Sequence, residues 1–211
     1  MKKCAIFAAA PIGKADYIEI DDETMVICAD AGIRHAKALG IKVDLVLGDF
    51  DSCDRNETEN ICTVTFPIRK DDTDLMLAIK YGMQAGCEDF KIYGALGGNR
   101  LDHTVAAFSA LGYLADNSLN GELVDDKTRV RVLEVGEHIV PNNAGYLSLF
   151  PFGCDRVAVE LSGTSYDGQV LLAKSFPLGV SNEIISHSAI IKVLQGDDVS
   201  RVLMILSKKE D

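Results

Sequence analysis

Apolar residues follow two rhythms along this chain, and the change between them divides it. In the first half, short apolar runs alternate with stretches of helical period. Cys4–Ala10, MVICAD at 25–30, VDLVLG at 43–48 and DFKIYGAL at 89–96 read as strands. A strand covered on both faces is apolar throughout instead of alternating. GIRHAKALG at 32–40 reads as a short helix closed by Gly40. Across 72–86, Leu75, Ile79 and Met83 recur at i, i+4 and i+8 with Met76 alongside, which marks one helix face. Asp72 or Thr73 can cap the start of that helix and Gly86 can end it. A third helix is predicted over 102–115, with Val105, Phe108 and Leu111 or Leu114 turned inward. Strands separated by such helices imply βαβ units and a mostly parallel sheet.

After about residue 120 the helical period disappears. Runs at 129–140, 145–152, 156–163, 168–176, 187–195 and 201–207 are short and β-like. NGEL, PNNAG, SYDG and QGDD punctuate them with turn chemistry. Regular strands and turns without a helix predict an antiparallel sandwich or barrel, with the boundary near Asn117–Gly121.

Composition narrows the function classes. A chain of 211 residues accommodates one large domain or two small ones. With 47% hydrophobic and 25% charged residues it has the balance of a globular protein, not of a disordered one. Lys and Arg total 21 against 32 Asp and Glu, a net charge of −11. That excess argues against nucleic acid as a partner, because such affinity rests on neutralising phosphates. It permits a metal ion or a cationic small molecule. No apolar run approaches the roughly 18 residues of a membrane span, so no membrane partner is expected. The opening MKKCAIFAAAPIGKAD imitates a signal peptide, but its apolar segment is short and a buried strand ended by Pro11 and Gly13 fits better. The six cysteines form no CxxC pair. A reducing cytoplasm is therefore the expected location.

Three polar segments carry candidate chemistry. In GDFDS, Asp49 and Asp51 follow an apolar strand directly. Residues two apart in extended chain point the same way, so the pair suits Mg²⁺, which takes one or two carboxylates together with substrate phosphates. The alternative is a solvated acidic turn. In KDDTD, Lys70 to Asp74, Asp71 and Asp74 can share one face of a first helical turn whose free N–H groups favour phosphate. Capping alone would need neither Lys70 nor three aspartates. In GALGGNRLDH, Gly94, Gly97 and Gly98 let backbone approach a phosphate and Arg100 can grip it bidentately. The segment matches neither common nucleotide fingerprint. Asp102 can be simply the helix N-cap, and His103 either a general base or a solvated side chain. Further on, Ser181, Asn182 and Glu183 offer donors and acceptors for a polar heteroaromatic ring, or for an ordinary turn.

Taken in order, CADAG (28–32), GDFDS (48–52), KDDTD (70–74), GALGGNRLDH (94–103) and GVSNE (179–183) resemble the motifs of thiamin pyrophosphokinases. The resemblance spans about residues 25–205. It implies a Rossmann-like, mostly parallel α/β catalytic domain over 1–120 that binds ATP, and an antiparallel β-sandwich over 121–211 that binds thiamin. It also implies a homodimer, with thiamin held between one subunit's catalytic domain and the other's β domain. The implied reaction moves the β,γ-pyrophosphoryl group of ATP onto the thiamin hydroxyl and releases AMP. On the same resemblance, Asp49, Asp51 and Asp74 surround Mg²⁺, and Asp71 orients or deprotonates the attacking hydroxyl. Lys70, Arg100 and the 94–100 loop bind the triphosphate, with Asp102 near metal or nucleotide and Asp30 at the nucleotide end of the sheet. Ser181 and Asn182 contact the thiamin pyrimidine. Some relatives stack a tryptophan on thiamin; this chain has none, and Tyr166, Phe176 or a backbone surface is left for that place.

Two other readings compete. A haloacid-dehalogenase-like hydrolase would make Asp49 a nucleophile that forms an aspartyl-phosphate, but leaves KDDTD and GALGGNRLDH unexplained. A non-enzymatic sensor of thiamin or nucleotide is the other.

Overall fold

The computed structural model describes residues 1–48, 62–65, 72–142, 145–196 and 199–209. By contacts the chain divides into two units, Met1–Asp126 and Lys127–Asp211. The first unit runs β1 (Lys3–Phe7), β2 (Met25–Ala29), α1 (Gly32–Ala38), β3 (Leu45–Gly48), β4 (Cys62–Thr65), α2 (Asp74–Gln84), β5 (Asp89–Tyr93), α3 (Leu101–Asp116) and β6 (Asn120–Val124). Its strands lie in the order β6-β5-β1-β2-β3-β4, and every neighbouring pair is parallel.

Both faces of this sheet are covered, which is why its strands read as unbroken apolar runs. On one face Ala5, Phe7, Val26, Cys28, Val46 and Tyr93 form a core with Ile33 and Ala36 of α1. The alternate positions, among them Ile6, Ile27, Leu47 and Ile92, are fully buried. Helix α2 packs on β1, β2 and β3, and α3 packs on β6. Thr73 caps α2, its hydroxyl accepting from the Met76 N–H at 3.2 Å.

Two expectations change here. NGEL is not a turn: Asn120 to Val124 pair in parallel register with Asp89 to Tyr93. Gly121 is placed there by packing, since a Cβ on it would lie 2.7 Å from Leu114 Cδ1 and 3.0 Å from Leu111 Cδ2. The same contact sets the rotation of α3. Leu111 and Leu114 face inward as expected, but Ala107 and Ala110 accompany them, while Val105 is 55% exposed. Small alanines let the helix lie close to the sheet, and Val105 is turned out of that contact.

The second unit contains β7 (Thr128–Leu133), β8 (Gly136–Pro141), β9 (Gly145–Pro151), β10 (Arg156–Ser162), β11 (Gly168–Ala173), β12 (Asn182–Glu183), β13 (Ser188–Val193) and β14 (Val202–Lys208). Strands β12-β9-β14-β7 pair antiparallel, and so do β11-β10-β13-β8. The expected single run at 129–140 is two strands, β7 in the first group and β8 in the second. Alternation is clear where one face meets solvent. In β13, Ala189, Ile191 and Val193 are buried, while Ile190 and Lys192 are exposed. Leu133, Leu147, Leu149 and Met204 of one group share a core with Val159, Leu161, Leu172 and Ile191 of the other. Among the described residues, no helix is long and apolar enough to cross a membrane. Cys4, Cys28, Cys62, Cys87 and Cys154 are free thiols.

Candidate active site

Strand β1 is where the order of the parallel sheet reverses. The chain adds β2, β3 and β4 on one side of β1, then crosses to place β5 and β6 on the other. Loops leaving the C-terminal ends of strands diverge at such a point and open a crevice suited to ligands. The segments that leave this edge are Ala8–Pro11 after β1, Asp30 after β2, Gly94–Arg100 after β5 and Asp125–Asp126 after β6.

The glycine loop is fastened to the loop after β1. The Ala8 N–H donates to Tyr93 O and the Ala10 N–H to Gly94 O, both at 2.8 Å. Gly94 has φ +65, and a Cβ on it would sit 2.5 Å from Ala8 O. Only glycine meets both demands. Gly98 (φ +79) leans on Pro11, whereas Gly97 (φ +71) faces open space. The Thr104 hydroxyl donates to Gly97 O at 3.3 Å, tying the loop to α3.

Arg100 stands at the N-cap position of α3 and offers no side-chain cap. Asp102, which sequence alone allowed as the cap, instead lies in the first turn. Its carboxylate is gripped by Arg100, with Nε–Oδ1 at 2.9 Å and Nη2–Oδ2 at 2.6 Å. Hydrogen bonding from Arg100 holds the Asp102 carboxyl down to about 2. Both side chains are exposed, so a phosphate can replace the carboxylate without a desolvated charge being left behind. His103 is exposed, and its backbone N–H donates to Arg100 O at 3.1 Å.

On the other side of β1, Asp30 adopts a left-handed conformation at φ 47. Its N–H donates to Leu47 O at 2.7 Å, which sets it beside the end of β3. Asp74 is the first residue of α2. Asp72, of the same motif, is committed to Lys80 at 2.7 Å. Asp49, Asp51, Lys70 and Asp71 lie outside the described residues. Among the described residues no three His, Cys, Asp or Glu side chains come close enough to hold a metal ion.

The acidic pair Asp125–Asp126 follows β6 and belongs to none of the motifs above. Burial, and then the Asp125 and Asp126 charges, hold the Tyr17 hydroxyl up at about 12. The available signal was an acidic pair directly after the apolar Leu123 and Val124.

In the second unit, a cavity of about 560 Å³ is lined by Ser181 and Asn182 together with Tyr166, Leu161, Leu172 and Leu178. That volume suits a small organic molecule. Ser181 is left-handed at φ 60, and its N–H donates to Ser148 Oγ at 3.0 Å. Asn182 is buried, and Phe176, although exposed, is not part of the lining.

Comparison with known proteins agrees with this arrangement. The family model for the thiamin pyrophosphokinase catalytic domain matches residues 18–121. Thiamine pyrophosphokinase of Bacillus subtilis (strain 168) is 28% identical over 176 residues, covering 80% of this chain and 81% of that protein. The crystal structure of thiamine pyrophosphokinase from Bacillus subtilis superposes with a TM-score of 0.87 at 24% identity, covering 99% of this chain and 100% of that one. A probable thiamine pyrophosphokinase from Staphylococcus saprophyticus is 28% identical with a TM-score of 0.72, and both chains are covered fully at 100%. Sequence match and shared fold agree: residues 18–121 are similar to the thiamin pyrophosphokinase catalytic domain, and the whole chain has the fold of the Bacillus subtilis enzyme.

Proposed function

We propose that the protein transfers the β,γ-pyrophosphoryl group of ATP to the hydroxyl of thiamin, giving thiamin diphosphate and AMP. The observation that carries this reading is the catalytic-domain match over 18–121. It takes in the ends of β2 and β5 and the glycine loop at the C-terminal edge of the parallel sheet. In this reading the first unit, Rossmann-like in its use of that edge, handles ATP, and the β unit handles thiamin. The protein works as a cytoplasmic homodimer with its sites at the subunit interface.

Hard carboxylate oxygens at positions 49, 51 and 74 fit Mg²⁺ and are the residues assigned to hold it. When bound, that ion offsets charge on the transferred oxygens. Arg100 leaves Asp102 to grip the triphosphate, Lys70 supplies a second cation, and the Gly94–Arg100 backbone approaches the phosphates closely. Asp30 borders the nucleotide. Asp71 orients the thiamin hydroxyl and takes its proton as the new O–P bond forms and AMP departs. The carboxylate excess attracts the thiazolium cation, and positioning supplies much of the rate in such transfers.

Incubation with Mg²⁺, ATP and thiamin should yield AMP and thiamin diphosphate in equal amounts. Asp71→Asn is expected to lower turnover at least a hundredfold with the fold intact. A folded, Mg²⁺-supplied protein that releases no AMP would refute the proposal. Orthophosphate release with labelled Asp49 would favour the hydrolase reading instead.

A further inference from the structure

Two cysteines far apart in the sequence meet at the edge of the parallel sheet opposite the candidate site. Cys4 lies at the start of β1, and Cys87 lies in the short turn between α2 and β5. The Cys87 thiol donates to Lys3 O at 3.7 Å, directly beside Cys4. The Cys87 N–H donates to Gly82 O at 2.9 Å. Gly82 in turn faces Cys4, since a Cβ on it would lie 3.2 Å from Cys4 Sγ. The two thiols are hydrogen-bonded to each other. Both residues are buried, Cys4 at 1% and Cys87 at 2% exposure. Cys28 lies on the opposite face of the sheet with Phe7, Cys62 lies in β4, and Cys154 belongs to the second unit.

The cover over the two thiols is unequal. Gly86 and Glu88, on either side of Cys87, are exposed. Lys2 clasps this turn: its ammonium donates to Ala85 O at 2.7 Å, and its carbonyl accepts from the Glu88 N–H at 2.9 Å. Opening these few bonds uncovers Cys87. Cys4 is held between β2 and β5 and beneath Gly82 of α2. Burial raises both thiols above their ordinary value, and for Cys87 the Lys2 charge and the hydrogen bond from Cys4 oppose that rise. The thiolate is the attacking species in disulfide exchange. Cys87 is therefore the thiol that meets a reagent first, and Cys4 the one placed to complete the exchange.

We infer that Cys4 and Cys87 are an oxidisable pair, which a low-molecular-weight disulfide converts into a covalent link between β1 and the α2–β5 turn. The Cys87 thiolate attacks one sulfur of the reagent and expels the other as a thiolate, leaving a mixed disulfide. As the turn closes again, Cys4 gives up its proton and attacks the Cys87 sulfur. The S–S bond of the pair forms while the second reagent thiolate departs. Two protein thiols are thus oxidised, one reagent disulfide is reduced to two thiols, and those thiols take up the two protons. The link closes a loop that contains β2, α1, β3, β4 and α2. It acts chiefly by restricting the unfolded chain, an effect that grows with loop length. Strands β1 and β5 begin at the linked edge and end at the other, where the glycine loop lies. The link therefore raises stability and leaves that C-terminal edge as it was.

The test is incubation of the folded, full-length protein with oxidised glutathione, followed by peptide mass spectrometry and thermal melting. A peptide linking Cys4 to Cys87 should appear. The melting temperature should rise by at least about 5 °C over that of Cys87→Ser treated identically. Dithiothreitol should reverse both changes. Cys4→Ser, with no thiol to complete the exchange, should accumulate glutathione on Cys87, while Cys87→Ser should leave Cys4 unmodified. Should Cys4→Ser fold poorly, Cys4→Ala keeps the apolar surroundings and permits the same comparison. A folded wild type that never yields the linked peptide would overturn the pairing. Glutathione held on Cys4 in Cys87→Ser would overturn the order of attack, and a linked protein that melts no higher would remove the stabilising role. Turnover of the linked protein should match that of treated Cys87→Ser, and less than half of it would overturn the separation of the two edges. Neither the linked peptide nor the melting shift depends on the substrate assigned above.

Discussion

Arg100 and Asp102 are each other's partner, and under the proposed function that pairing should report on phosphate binding. The folded-state carboxyl of Asp102 is depressed to about 2 by hydrogen bonding from Arg100, against an ordinary value of about 3.9. Any stability from the pair is therefore present above the ordinary value and lost as pH falls through about 2. In a carbon-detected NMR titration, Asp102 should titrate near that low value and return toward the ordinary one in Arg100→Gln. Mg²⁺ and a non-hydrolysable ATP analogue should raise it too, as Arg100 turns to the phosphates. A value unmoved by the nucleotide would take Arg100 out of triphosphate binding. At this scale the sequence was informative about residue types and poor at roles. Arg100 and Asp102 stood in one motif, but their fork depends on the backbone of the loop. Asn182 was visible as a polar residue in a turn, whereas three of its four side-chain bonds reach residues 164 and 166, which no local pattern links to it.

At the scale of the element, the glycine loop separates two uses of the same residue. Gly94 and Gly97 are both left-handed, but only Gly94 also presses on the loop after β1. Gly97→Ala is expected to destabilise by about 1 kcal/mol from backbone conformation alone. Gly94→Ala should cost at least twice that, through its clash with Ala8 O. Urea unfolding of the two variants measures the contrast, and equal losses would remove the packing argument. Strands β1, β2, β3 and β5 were legible because burial on both faces leaves an unbroken apolar run. Strand β4, with Cys62 and Thr63 exposed, offers no such run, and β6 opens with Asn120 and Gly121, a turn-like pair that only its parallel partner and the leucines of α3 explain. Helix α3 was legible in length but not in rotation, because hydrophobicity ranks Val105 above the alanines that close packing selects.

For the whole molecule, the net charge of −11 predicts opposite salt effects on the two substrates. Raising ionic strength from about 20 to about 200 mM shortens the screening length severalfold. Association of cationic thiamin should slow, and association of metal-free ATP should quicken. Stopped-flow measurement at the two salt levels checks both signs, and parallel trends would mean that overall charge does not steer either ligand. The strand order has a further consequence in time. Strand β1 is synthesised first, yet its second neighbour is β5, with Cys4 opposite Phe90. At ~5–20 residues per second, one edge of β1 waits on the order of ten seconds for its partner. Until then the nascent chain presents an open apolar edge of the kind that invites mispairing. Chaperone dependence in the cell should accordingly be decided while the ribosome is between β1 and β5, before any nucleotide has a place to bind.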